Sequence, residues 1–277
     1  MSGVLPESYI SDHRDSIYIC AEVMETFALS AFTKRQNNIF FRWALNVEIE
    51  YCLKCELGAF QSCKQVFFYS EDEANWYKSV SGCSNGSNVS IGLDLDKYIP
   101  ITRSNNRPFK IIFYGNYSWH PNNDGLRYLL EDIWPYISSR RSDVHLEIAG
   151  RNLPKWTRKF LSYKSLSFVG EVSNIGDFIS HADIVLSPIR IGGGVRLKVI
   201  EAMALGRPVI ATAISKEGMV ESDNCGIITA NSPEEFYYSI NYLLSSDSTW
   251  NNISISSRNY VYSHYDYKHN LNCFFND

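Results

Sequence analysis

The stretch "DIVLSPIRIGGGVRLKVIEAMALGRPVIAT" (183–212) contains a short apolar segment, a glycine-rich turn, a helical pattern and a second, β-branched segment. The first segment ends at Pro188, and the helix is predicted to begin near Val195 and to end at Gly206, with Pro208 just beyond it. A short strand, a helix and a second short strand in this order form one βαβ unit, whose strands lie parallel in a sheet. The stretch therefore predicts an α/β fold.

The same alternation continues on both sides of this stretch. Further strands are predicted at 110–115, 144–150, 166–170 and 225–230, and further helices at 122–137, 154–163, 174–182 and 232–246. The last helix opens with Ser-Pro-Glu-Glu, which is typical of a capped helix start. We therefore predict a complete Rossmann-like domain with a mostly parallel sheet, and such sheets bind ligands at the carboxyl ends of their strands.

The first hundred residues predict a less regular structure. The patterns indicate a long helix over 38–60, a strand over 63–70 and a helix over 71–80. The Ser-, Asn- and Gly-rich residues 81–108 indicate a connection between domains. We predict four segments, which are a partial N-terminal α/β domain (1–95), a linker (96–109), a C-terminal ligand-binding domain (110–265) and a C-terminal tail or helix (266–277).

Composition excludes several classes of protein. The net charge of −4 gives no electrostatic footprint for nucleic acid, and no stretch approaches the roughly 20 apolar residues of a membrane span. The first residues lack the pattern of a signal peptide, so a cytoplasmic protein is expected. Cys52 and Cys55 form a CxxC without a second pair of ligands, and we expect reduced, packed thiols rather than a zinc site.

The glycine-rich turn carries the first chemical signal. Glycines allow a ligand to approach the backbone closely, and the N-terminus of a helix offers unpaired N–H groups to an anion. Arg190, Arg196 and Lys198 add positive charge beside the glycines 192–194. The combination predicts a diphosphate site, although neither a GxxxxGK[ST] loop nor a GxGxxG fingerprint is present.

Glu201, about two turns into the predicted helix, extends this site. A carboxylate at such a position accepts hydrogen bonds from a ribose diol, so phosphates at the helix tip and ribose along its side fit one nucleotide. Alternatives remain open for each feature. The glycines also fit a tight turn without a ligand, Arg196 and Lys198 fit a solvated helix face, and Glu201 fits dipole compensation or a surface ion pair.

The stretch "PIRIGGGVRLKVIEAMALGRPVIAT" (188–212) resembles the donor-binding segment of family-4 type glycosyltransferases (glycosyl transferases group 1). The segments at 111–137, 146–152 and 166–188 resemble the same domain in order and spacing, and "VSIGLDLDKYIP" (89–100) resembles the linker before it. The resemblance covers about 90–275. It implies a GT-B fold, in which two Rossmann-like domains form the cleft and the second holds most of the nucleotide-sugar donor.

The resemblance also implies an activity and roles for particular residues. It implies a retaining, metal-free transfer of a sugar from a nucleotide-diphosphate donor, with no cofactor. Glu201 matches the second glutamate of the family's Glu-x7-Glu motif, which binds ribose hydroxyls, whereas Gly193 stands in place of the first. Gly194, Val195 and Arg196 match the segment whose backbone amides meet the diphosphate. Backbone groups up to Val172 match the segment that meets the base.

A second departure from the family concerns the cations. Many members carry an arginine and a lysine after the first strand of this domain, where Asn116 and "WHPNNDG" (119–125) stand here. We expect Arg190, Arg196 and Lys198 to bind the diphosphate instead, with Arg196 and Lys198 stabilising the leaving group. His120 is a candidate catalytic group and Asn116 a candidate donor contact; the alternative for both is a turn or surface role.

The third departure is an N-terminal domain that looks shortened. Residues 46–77 resemble the later helix–strand–helix of the family's first domain, and residues 1–20 contain no match to its opening glycine-rich loop. The expected partners are a nucleotide-sugar donor and a glycan or lipid-linked acceptor, with no nucleic acid. A lipid-linked acceptor implies peripheral association with the inner face of a membrane. The alternative is a truncated, non-catalytic nucleotide-sugar-binding remnant or partner subunit. Asp94 and Asp96 lie in the linker and are not expected to bind a metal.

Overall fold

The computed structural model describes residues 17–20, 33, 38–61, 63–104, 106–222 and 225–270. Their strands form two parallel sheets. The N-terminal sheet has the order β1-β2-β3, with β1 (Ile17–Cys20), β2 (Gln65–Phe68) and β3 (Gly86–Asn88). The C-terminal sheet has the order β6-β5-β4-β7-β8-β9, with β4 (Phe109–Asn116), β5 (Val144–Arg151), β6 (Leu166–Gly170), β7 (Ile184–Ser187), β8 (Val209–Ala211) and β9 (Ile227–Thr229). This is the strand order of a doubly wound Rossmann sheet, so the predicted α/β class is confirmed.

Helices follow the strands as the sequence predicts, with a few differences. The helices are α1 (Ile39–Gln61), α2 (Glu71–Ser81), α3 (His120–Tyr128), α4 (Trp134–Ser138), α5 (Ile175–Ser180), α6 (Leu197–Ala204), α7 (Ala213–Lys216), α8 (Pro233–Leu244), α9 (Asp247–Tyr265) and α10 (Tyr267–Asn270). A π-helical turn at Leu129–Ile133 joins α3 to α4. The three elements together correspond to the single helix predicted over 122–137. The cap predicted for α8 is confirmed, because the Ser232 side chain accepts a hydrogen bond from the Glu235 amide.

One predicted element has a different structure, and several elements were not predicted. The helix predicted over 154–163 is a short 3₁₀ helix at Lys155–Phe160. The strands β1 and β3 and the long helix α9 were not predicted. The expectations for residues 1–16 and for the end of the tail, 271–277, lie outside the described residues. The division into four segments at 95, 109 and 265 stays a prediction.

The central strands of the C-terminal sheet, β4, β7 and β8, are largely buried on both faces, which is why their sequences are mostly apolar. On one face Phe113 and Ile148 pack with the α3–α4 region and α8. On the other face Ile112 and Val185 pack against α6 and α9. Helix α6, which follows the glycine-rich turn, therefore has one side in the core and its N-terminus at the edge of the sheet.

The residues between the two sheets are hydrogen-bonded to the C-terminal unit at several points. The Leu93 amide donates to the Tyr265 carbonyl oxygen over 2.7 Å. The Arg103 Nε donates to Asp183 Oδ1 over 2.8 Å, and both side chains are almost fully buried. Trp250 of α9 donates from Nε1 to the Asp183 carbonyl oxygen over 2.7 Å. The segment between the two sheets is therefore hydrogen-bonded to the last residue of α9, Tyr265, and to Asp183, which immediately precedes β7.

The buried ion pair of Arg103 provides a stability prediction with an internal control. Asp183→Ala is expected to lower the free energy of unfolding by about 3–5 kcal/mol, because it leaves a buried arginine without its carboxylate. Arg103 also contacts Asp247, whose side chain is 65% exposed, so Asp247→Ala is expected to cost no more than about 1 kcal/mol. Denaturant unfolding of the two variants tests this difference, and equal losses would contradict it.

Candidate functional site

The candidate site lies at the topological switch point of the C-terminal sheet, between β4 and β7. Strands β4 and β7 are neighbours, although β5 and β6 separate them along the chain. The loops that leave their carboxyl ends, 117–119 and 188–196, therefore run to opposite sides and leave a crevice between them. In doubly wound sheets this crevice is where ligands bind.

The glycine-rich loop (residues 191–196) borders this crevice. Gly192 and Gly194 have φ angles of 101° and 75°, values that residues with a Cβ rarely adopt. The guanidinium of Arg196, a residue 4% exposed, donates to the carbonyl oxygens of Gly193 and Gly194. It also lies 5.8 Å from the ring centre of the half-exposed Trp119. Arg196 therefore holds the loop in shape, and the alternative of a solvated helix face is wrong for this residue.

Helix α6 begins at Leu197, two residues later than predicted, and Lys198 lies in its first turn. The partly buried Lys198 Nζ donates to the Tyr114 carbonyl oxygen over 3.1 Å and to Asn122 Oδ1 over 2.5 Å. Removal from water, followed by the nearby charge of Arg196, lowers the pKa of Lys198 to about 7. No carboxylate forms an ion pair with Lys198 among the residues that the structure describes. The polar partners of its ammonium group are therefore a backbone carbonyl and a side-chain amide, and neither carries a charge.

Two asparagines connect Lys198 to the end of β4. The buried Asn122 donates from Nδ2 to the Asn116 carbonyl oxygen over 2.9 Å while it accepts from Lys198. The Asn116 side chain accepts from Ser118 Oγ over 2.8 Å and from Asn152 Nδ2 over 2.9 Å. Asn116 therefore joins the ends of β4 and β5. Sequence reasoning missed Asn122, although three polar residues "NND" (122–124) after a buried strand were a usable signal.

Glu201 lies three residues after Lys198, so both side chains project from one face of α6. The Tyr98 hydroxyl, from the linker, donates to Glu201 Oε1 over 3.1 Å. Burial raises the pKa of Glu201, and this hydrogen bond acts in the opposite direction. Within the described part of the chain no cation forms an ion pair with Glu201, so the surface ion-pair alternative has no partner there. Sequence reasoning missed Tyr98.

The remaining predicted site residues lie at the edge of this arrangement. Arg190 forms a two-point ion pair with Asp124 of α3, over 2.8 and 3.0 Å, and its charge is already matched. His120 is exposed as the first residue of α3. Val172 follows β6 and packs, like Val195, against the core under α6. The structure therefore brings Gly193, Gly194, Val195, Arg196, Lys198 and Glu201 together, with Asn116 and His120 across the crevice.

The described residues contain neither a metal-binding cluster nor a membrane-spanning helix. No group of three or more His, Cys, Asp or Glu side chains among them is arranged to hold a metal ion. None of the helices in these ranges combines the length and the apolar composition that crossing a membrane requires.

Comparison with known proteins gives one family. The family model of glycosyl transferases group 1 matches residues 108–246. An uncharacterized 44.6 kDa protein in the cps region of Klebsiella pneumoniae is 24% identical over an alignment of 225 positions, which covers 75% of this chain and 54% of that protein. The chain thus spans about half the length of this curated relative.

Solved structures share the fold at low sequence identity. S. aureus TarM, in complex with fondaparinux, α-GlcNAc-glycerol and UDP, superposes with a TM-score of 0.66 at 15% identity over 82% of this chain and 46% of its own. Sucrose-phosphate synthase (tll1590) from Thermosynechococcus elongatus gives a TM-score of 0.67 at 16% identity over 91% of this chain and 64% of its own. The fold is therefore of the GT-B type.

Proposed function

Because this chain belongs to the family of glycosyl transferases group 1, we propose that it moves a sugar from a nucleotide-diphosphate sugar to a glycan or glycolipid acceptor, with retention of anomeric configuration. One observation carries the proposal. Lys198 and Glu201 lie on one face of α6, at the switch point of the sheet, with the glycine-rich loop at the helix tip. This arrangement offers a cation to a diphosphate and a carboxylate to a ribose.

The chemistry of transfer needs positive charge at the leaving group. The bond between the anomeric carbon and the diphosphate oxygen breaks, and negative charge grows on the diphosphate. Lys198 and the amides of the first turn of α6 stabilise this charge, and Arg196 holds the glycine-rich loop that presents them. We propose that no metal takes part, because these groups supply the charge that a divalent ion would otherwise bring.

The other site residues receive supporting roles in this proposal. Glu201 binds the ribose hydroxyls, and backbone groups of Gly193, Gly194 and Val195 line the diphosphate. His120 and Asn116 lie across the crevice beside the donor sugar, and the backbone near Val172 lies beside the base. Arg190 acts through its ion pair with Asp124, which joins the segment before the glycine-rich loop to α3.

The donor and acceptor classes draw support from the similar proteins. TarM is described with UDP and α-GlcNAc-glycerol, and the Klebsiella relative lies in a cps region. We therefore propose a nucleotide-sugar donor and a saccharide acceptor, which is lipid-linked or free. UDP-sugars are the first donors to test. A lipid-linked acceptor would bring a cytoplasmic protein to the membrane surface.

Release of the nucleoside diphosphate tests the proposed function. Purified protein is mixed with UDP-, GDP- and ADP-sugars, with and without a saccharide acceptor mixture, and the free diphosphate is measured. We expect release from donors of one base, acceleration by acceptor, and no release by Lys198→Met, with the exposed Lys164→Met as the matched control. Tight binding without release would instead identify a non-catalytic nucleotide-sugar-binding subunit.

A further inference from the structure

Tyr98 has a fixed position relative to α6. It ends the 3₁₀ turn Leu95–Lys97, where its amide donates to the Leu95 carbonyl oxygen over 3.1 Å. Its carbonyl oxygen accepts from Arg258 Nη1 over 2.9 Å, and the same nitrogen donates to the carbonyl oxygen of Ala204, the last residue of α6. Arg258 of α9 therefore ties the linker to the end of the helix that carries Glu201.

The Tyr98 hydroxyl reaches Glu201 from this fixed backbone. Its bond to Glu201 Oε1 is 3.1 Å long and joins residues that are 103 positions apart in the chain. Burial and the neighbouring carboxylate raise the pKa of Tyr98 to about 12, so the hydroxyl keeps its proton and remains a donor at neutral pH.

Other polar groups around Glu201 are occupied elsewhere. The Tyr114 hydroxyl of β4 donates to the Lys198 carbonyl oxygen over 2.9 Å. Arg258 of α9 is bonded to the carbonyl oxygens of Ala204 and Tyr98. Among the described residues Tyr98 is thus the side chain that donates a hydrogen bond to the Glu201 carboxylate.

We infer that Tyr98 is a positioning residue of the donor site, whose hydroxyl orients the Glu201 carboxylate for the ribose diol. The inference rests on the proposed function of Glu201. A carboxylate accepts about four hydrogen bonds, so one bond from Tyr98 leaves capacity for two ribose hydroxyls. The bond also favours the ionised carboxylate against the effect of burial, and the ionised form is the stronger acceptor. The residue that orients the ribose-binding carboxylate therefore belongs to the linker and not to the sheet domain.

Tyr98→Phe tests this role, with Tyr260→Phe as the control. Tyr260 lies in α9, which also packs on α6, and its hydroxyl donates to the Val220 carbonyl oxygen over 2.6 Å. Both variants lose one partly buried hydroxyl, but only Tyr98→Phe loses a bond to Glu201. The Glu201 carboxyl is followed by NMR of protein labelled with ¹³C-glutamate, and its signal is assigned by its loss in Glu201→Gln. UDP affinity is measured as a function of pH.

The expected result has two parts. Tyr98→Phe raises the pKa of the Glu201 carboxyl in the free protein, and the control leaves it unchanged. UDP binds roughly 2- to 10-fold more weakly to Tyr98→Phe at neutral pH, and the loss grows as the pH falls. The ionisation of UDP itself cancels from this comparison, because it is the same for every variant.

The experiment distinguishes failure of the inference from failure of the proposed function. An unchanged Glu201 pKa in Tyr98→Phe overturns the inference, and so does a raised pKa with UDP affinity equal to that of the wild type. A wild-type protein that binds no nucleoside diphosphate overturns the proposed function and the inference with it. That case is recognised from the wild type alone.

Discussion

Replacing Lys198 with methionine is expected to weaken UDP binding by roughly 10- to 100-fold, the effect of losing one charged hydrogen bond. Methionine has an unbranched apolar side chain like the stem of lysine, so the change removes the charge, which lies 5.0 Å from the Phe113 ring centre, with a small change in shape. Calorimetric titration measures the affinity, and Lys164→Met, at an exposed lysine, controls for the general effect of one lost charge.

The pH dependence of binding separates the charge of Lys198 from its shape. In the free protein the pKa of Lys198 is lowered to about 7, and a bound diphosphate favours the protonated form. Wild-type affinity is therefore expected to be full below pH 7 and to fall as the pH rises above it, with uptake of a proton on binding. Lys198→Met is expected to lack this decline. A variant that binds UDP as the wild type does, or that keeps the decline, would contradict the assigned role.

Stability provides a control for the same variant. The pKa of Lys198 is lower in the folded protein than its ordinary value of 10.5, so a charged Lys198 costs stability. This cost is complete below pH 7 and disappears as the pH rises through 10.5. Lys198→Met removes this cost, but it also removes the donor to the Tyr114 carbonyl oxygen and to Asn122 Oδ1. Denaturant unfolding of the variant, measured beside its binding, shows whether weaker binding reflects unfolding.

Glu201→Gln is expected to weaken UDP binding by roughly 10- to 100-fold and to leave the binding of 2′,3′-dideoxy-UDP unchanged. The glutamine has the same size and can still accept from Tyr98, but it lacks the charge that strengthens hydrogen bonds to the ribose hydroxyls. The wild type is expected to bind the dideoxy ligand about as weakly as the variant does.

The two proteins and two ligands form a cycle whose coupling energy isolates the contact between Glu201 and the hydroxyls. Both affinities are measured by calorimetry at one pH. Equal losses for UDP and the dideoxy ligand would show that Glu201 acts through the fold of α6 and does not touch the ribose.

The fold was largely predictable because burial of the sheet dictates the sequence of its strands. Every residue of β7 is buried, and its first three residues are apolar. Helix α9 gave no such signal. Its sequence "DSTWNNISISSRNYVYSHY" is rich in Ser and Asn, which have low helix propensity, and it forms because Trp250 and Val261 pack against the rest of the domain.

The candidate site was predictable only where its residues are neighbours in sequence. Lys198 and Glu201 lie three residues apart on one helix and Arg196 immediately precedes that helix, so the sequence alone places the three close together. Asn122 and Tyr98 meet them from 76 and 103 positions away, through the packing of separate elements. The sequence also could not show that the Arg196 guanidinium binds loop carbonyls, because that contact depends on the φ angles of Gly192 and Gly194.

The most direct test of the central claim is a calorimetric titration of the wild-type protein with UDP, GDP, ADP and CDP and with the matching monophosphates. We predict that one diphosphate binds in the micromolar range and at least about tenfold more tightly than its monophosphate, because Lys198 and the tip of α6 bind the second phosphate. A folded protein that binds none of them, or that binds diphosphate and monophosphate equally, would contradict a donor site at this helix.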